Sequence, residues 1–163
     1  KGSIQVNHRD LNEESFYEFR KNISYAAVDS YLFKNSLREN LNLTTKHSDK
    51  ELDNVIGLSN LSEKVGSMES GLDSFIGVNG SMLSAGQRQR LIFARAMIKK
   101  GMLVVLDEAT SNLDAGIEHS LIDNMSDSFN KESIIVLVAH KEPKNFKYNK
   151  KFLVEEKTLT QIS

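Results

Sequence analysis

Cysteine is missing from this 163-residue sequence, so neither a disulfide framework nor a thiolate zinc site can form. No apolar run approaches the roughly 20 residues of a membrane-spanning helix. No basic segment followed by an apolar one opens the chain as a secretion signal would. An excess of one charge is lacking too: 21 lysines and arginines face 22 aspartates and glutamates, for a net charge of -1. That balance offers no overall attraction to nucleic acid or to anionic lipid. Repeats and low-complexity tracts are absent. So is any Gly-x-x-x-x-Gly-Lys-Ser/Thr phosphate loop. Gly66-Ser67-Met68-Glu69-Ser70-Gly71 copies its glycine spacing, but Leu72-Asp73 stands where Lys-Ser/Thr is required and no strand precedes it.

What is present suits a globular α/β protein. At 39% hydrophobic residues the chain can build a real core. Ile4 and Val6 alternate with polar residues like a half-buried strand, and Asn7 to Asp10 reads as a turn. Asp10, with Glu13 three positions on, is expected to cap a short helix ending near Arg20. Ile23 to Val28 predicts a strand. From Leu32 to Gly80 the pattern turns helical, with a capping box at Ser48-Asp49-Lys50-Glu51. A second box, Ser84-Ala85-Gly86-Gln87, opens a helix to about Lys100 that Gly101 is expected to stop. Met102 to Leu106 and Ile134 to Ala139 are unbroken apolar strands of the kind found inside parallel sheets. A helix marked by Ile117, Leu121, Ile122 and Met125 separates them. Phe152 to Ile162 reads as a closing hairpin whose turn chemistry is weak.

Strands alternating with helices predict a doubly wound parallel sheet, and ligands on such sheets sit beyond the carboxyl ends of the strands. Those ends carry Val28, Asp107-Glu108 and His140. Two adjacent carboxylates at a strand end point in different directions, so one can serve a Mg²⁺ shell and the other a water. At Ser84-Ala85-Gly86-Gln87, free backbone N–H groups and the helix dipole favour an anion, and Gly86 lets it come close. Each feature has a plainer explanation, capping or a solvated strand end. Their convergence makes the case for a phosphate site.

These residues resemble the ATP-binding cassette family, from about Gly2 to Gln161. Leu83 to Gln87 is similar to the family's signature motif, and Met102 to Glu108 to its Walker B strand with the catalytic glutamate. Ser111-Asn112-Leu113-Asp114 resembles the D-loop, and His140 the switch histidine. Ile23 to Phe33 is similar to the Q-loop segment, and Leu37 to Leu41 to the run that follows it in exporters. The resemblance implies an α/β ATPase core, residues 1–31 and 83–163, with a helical subdomain, residues 32–82, inserted in it. It implies ATP with Mg²⁺, a second nucleotide-binding domain as a head-to-tail partner, and a transmembrane domain at the cytoplasmic face of a membrane. In that scheme Asp107 supports Mg²⁺, Glu108 polarises the attacking water and His140 steadies the γ-phosphate. Ser84, Ala85, Gly86 and Gln87 meet ATP held by the partner, and Asp114 couples the two sites.

Three departures shape the expectations. The family's phosphate loop lies upstream of the motifs seen here, so the chain reads as a fragment that is inactive alone, with an apolar strand edge exposed and low stability or self-association as the result. Val28 replaces the Q-loop glutamine. Ala85 replaces the signature's first glycine, a one-methyl change of small consequence. The resemblance leaves two other roles to weigh: a soluble ATPase of DNA repair or chromosome organisation, and a regulatory half without catalysis.

Overall fold

The computed structural model describes residues 3–129, 133–143 and 147–162. Asn7 and His8 adopt left-handed backbone (φ 51° and 63°) and fold β1 (Gln5–Val6) back onto β2 (Arg9–Asp10). This tight turn explains one departure from expectation. Asp10 is drawn into the hairpin, where its Oδ1 accepts from Gln5 Nε2 at 2.9 Å. The cap of α1 (Glu13–Arg20) is instead Asn12, in a reciprocal box with Ser15 (Ser15 N–H to Asn12 Oδ1, 2.8 Å).

After β3 (Ile23–Ala27) the chain turns helical, as the pattern predicts. It forms α2 (Leu37–Leu41), α3 (Asp49–Leu58) and α4 (Ser62–Gly66), with 3-10 turns at Gly71–Asp73 and Val78–Gly80. The box at Ser48 caps α3 as read from the sequence. Arg38 fastens this region by bonding both Asp49 and Asp73.

The box at Ser84 opens α5 (Ala85–Lys99). The left-handed residue that ends α5 is Lys100 (φ 51°), not Gly101. Gly101 is glycine for another reason, close packing against β3. Next come β4 (Leu103–Asp107), α6 (Ala115–Ser128) and β5 (Ile134–Val138). The hairpin β6 (Phe152–Glu155) and β7 (Thr158–Gln161) closes the described chain.

The three apolar strands form one parallel sheet in the order β3-β4-β5. Its register runs from Ile23↔Leu103↔Ile134 to Ala27↔Asp107↔Val138. Alternation then separates two faces. Val104 and Leu106, with Ser24 and Ala26 beside them, are fully buried on the side that α5 covers. The opposite face presents Tyr25, Ile134, Val136 and Val138, all exposed, and β5 forms the sheet's edge among the described residues. One continuous core joins Leu32, Leu37, Leu52 and Ile76 to Leu91, Phe93, Leu106 and Met125. The mixed α/β architecture is the one expected. No helix among the described residues is long and apolar enough to cross a membrane.

Candidate functional site

Because the strands are parallel and in register, Ala27, Asp107 and Val138 end side by side, and the polar residues after them share one edge. The backbone at that edge is tied together. Val28 N–H donates to Asp107 O at 3.3 Å, and Glu108 N–H donates to Val138 O at 3.0 Å.

Glu108 itself is left-handed (φ 50°), a costly conformation for a residue with a Cβ and a common one at functional sites. The turn separates its side chain from that of Asp107. Glu108 Oε1 lies 2.9 Å from Nε2 of His140, whose side chain is 85% exposed. A contact so open to water adds little to stability; what it fixes is geometry. Asp107 meets a different partner. Its Oδ2 is 3.3 Å from the hydroxyl of Tyr25, which lies two residues before Ala27 on the same face of the sheet. Partial burial first, then the Asp107 charge, hold the Tyr25 phenol above its ordinary value.

No group of three His, Cys, Asp or Glu able to hold a metal occurs among the described residues. The donor set at Asp107 is one carboxylate, with Oδ1 left without a hydrogen-bond partner in the described chain. It fits a Mg²⁺ that draws the rest of its shell from water and phosphate oxygens.

At the start of α5 the hydroxyl of Ser84 accepts from Gln87 N–H (3.2 Å), and Gln87 Oε1 accepts from Ser84 N–H (2.9 Å). Both side chains are therefore engaged in capping. The N–H groups of Ala85 and Gly86, in the first turn, have no acceptor within the helix. A methyl placed on Gly86 would meet only Leu113, at 3.7 Å, an ordinary contact. Packing within this chain does not require glycine there. Asp114 caps α6, its Oδ1 accepting from Gly116 (3.1 Å) and Ile117 (3.0 Å).

The site residues thus fall into two groups. Asp107, Glu108 and His140 cluster at the sheet edge. Ser84 to Gln87 and Asp114 sit at two helix starts, with the Leu113 side chain near Gly86, and among the described residues no hydrogen bond links them to the first group. The bridge between the groups is one that sequence reading missed. Gln89, 3% exposed, donates from Nε2 to Glu108 O at 3.4 Å. A polar residue inside the apolar stripe of α5 was its only signal. Beside it, Val28, Asp29, Arg88 and Asn112 help line a cavity of about 230 Å³.

The family profile described as "ABC transporter" matches residues 1–111. The SPbeta prophage-derived sublancin-168-processing and transport ATP-binding protein of Bacillus subtilis (strain 168) is 31% identical over 161 residues, 99% of this chain and 22% of that protein. The ATP-dependent lipid A-core flippase of Vibrio parahaemolyticus is 32% identical over 142 residues, 86% of this chain and 24% of the flippase. Among solved structures, a bacterial Atm1-family ABC exporter with ATP bound matches with a TM-score of 0.77 at 24% identity, over 86% of this chain and 25% of that one. At that identity the likeness speaks for the fold alone. The chain spans no more than a quarter of the length of any of these three.

Proposed function

The chain belongs to the ABC transporter family, and from that premise we propose that it forms part of the nucleotide-binding domain of an exporter, driving transport by hydrolysing ATP. The observation that carries this reading is the 2.9 Å contact between His140 Nε2 and Glu108 Oε1, beside Asp107 on one sheet edge. In this reading Glu108 orients and polarises the attacking water, and His140 holds the Glu108 carboxylate while presenting its ring to the terminal phosphate. Asp107 would hold Mg²⁺, which neutralises charge on the phosphate oxygens. Such catalysis is positioning and charge stabilisation, with little covalent work for the protein.

Ser84, Ala85, Gly86 and Gln87 are assigned to ATP held by a second nucleotide-binding domain, head to tail. The first-turn N–H groups suit an anion, and an outside ligand supplies the reason for glycine at 86 that internal packing does not. Asp114 would link the two nucleotide sites from the start of α6. Residues 1–31 and 83–163 would be the ATPase core, and 32–82 the helical subdomain that meets a transmembrane domain at the cytoplasmic face.

Turnover of MgATP by the full-length protein in lipid vesicles tests this, set beside calorimetry on the 163-residue chain. We expect turnover from the first. From the second we expect no measurable heat at micromolar MgATP, because the chain contains no Gly-Lys-Ser/Thr loop. Val28 specifically favours a second reading, a regulatory half that binds ATP without hydrolysing it. A full-length protein that binds MgATP and never turns it over would leave only that one. If the exporter reading holds, Val28→Gln should raise turnover, since valine can neither ligate Mg²⁺ nor orient water. Unchanged turnover would remove Val28 from the mechanism.

A further inference from the structure

The loop from Glu108 to Asp114 connects the two halves of the proposed site, and a side-chain bond that the proposed mechanism does not use fastens it. Thr110, 4% exposed, donates its hydroxyl to Oε1 of Glu118 at 2.7 Å. Glu118 lies one turn into α6, where its N–H donates to Asp114 O at 2.9 Å. Around this bond the loop folds on itself. Ser111 N–H donates to Glu108 O, and Leu113 N–H to Thr110 O, each at 3.1 Å. The left-handed backbone of Glu108 persists only if its surroundings hold it. Gln89 secures the Glu108 carbonyl from the α5 side. From the α6 side, the tie is the Thr110–Glu118 bond.

We propose that Thr110 and Glu118 form a positioning pair, whose bond sets the turn that aims Glu108 at His140 and at the attacking water. Hydroxyl-to-carboxylate bonds are among the shorter and stronger ones in proteins. Glu118 has an alternative, since a half-buried carboxylate in the first turn of a helix is already favoured by the dipole and by water. Its engagement with a buried hydroxyl eight residues back closes a loop that starts at Thr110, two residues after Glu108.

The inference rests on reading Glu108 as the group that activates water. The full-length protein therefore needs two sets of variants. Wild-type turnover, and its loss in Glu108→Gln, test that reading. Thr110→Val, which keeps the volume and removes the hydroxyl, tests the pair. We expect its kcat to fall between about 10-fold and about 100-fold, the cost of a small misplacement, with KM for MgATP unchanged. Thr110→Ser should restore most of the rate. Glu118→Ala should reproduce the loss, and the double variant should be no slower than either single one. Should Thr110→Val not fold, Glu118→Ala compared with Thr110→Ser makes the same test. The proposal is overturned if Glu118→Ala and Thr110→Val leave kcat unchanged, if Thr110→Ser is as slow as Thr110→Val, or if the two losses multiply in the double variant.

Discussion

Exchanging Glu108 for glutamine in the full-length protein is expected to lower MgATP turnover by about 100- to 1,000-fold, the typical loss of one preorganised group. Glutamine has the same length and can still accept from the ring of His140 through its amide oxygen. What it lacks is the negative charge that, in the proposed mechanism, polarises water. The backbone at 108 keeps its bonds to Val138 and Ser111, so the left-handed turn should survive. Thermal stability should barely change, because the Glu108–His140 contact is open to solvent. Nucleotide binding should persist, since Asp107 and the backbone donors of Ala85 and Gly86 are untouched. The signature is then a fall in kcat and kcat/KM together, the mark of an interaction made in the transition state. A variant that turns over ATP at the wild-type rate would show that water is activated elsewhere.

Much of this arrangement is legible in the sequence because it rests on local chemistry. Capping boxes at Ser48 and Ser84 fix where two helices begin. Apolar runs ending in Asp107-Glu108 and just before His140 identify parallel strands, and parallel strands bring their tips together whatever the packing around them. The parts that were not legible depend on partners distant in the chain. Asp10 and Asn12 are both good caps; the hairpin of β1 with β2 takes Asp10 out of contention. Glu108, Lys100, Glu156 and Lys157 all adopt positive φ, which glutamate and lysine do not advertise. In β6–β7 two such residues make the turn, so the usual Asn-Gly signal is absent. Tyr25 reaches Asp107 only once β3 and β4 are in register, and Gln89 reaches Glu108 only once α5 lies on the sheet.

The same dependence on long-range packing governs the largest stability effect expected in the chain, at Gly101. A Cβ there would fall 2.6 Å from Ser24 N and 2.7 Å from Asn22 O. Both are backbone atoms at the start of β3, so no side chain can swing away. Gly101 N–H also donates to the fully buried hydroxyl of Ser24 at 2.8 Å, and any shift that relieves the clash strains that bond. Overpacking costs about 1–3 kcal/mol, and more where backbone must move; leaving a buried polar group unpaired adds about 1–3 kcal/mol. Gly101→Ala should therefore lose about 3 kcal/mol or more, read as a lower urea midpoint of the 163-residue chain. Gly66→Ala is the internal comparison. A Cβ at Gly66, the last residue of α4, meets nothing within 4 Å, so its midpoint should hold or rise slightly. Gly101 lies two residues before Leu103, which pairs with Ile23, and that pairing continues to Ala27↔Asp107 at the site. If both variants melted alike, β3 and β4 would not approach as closely as the register requires, and the placement of Val28 beside Asp107 would lose its support.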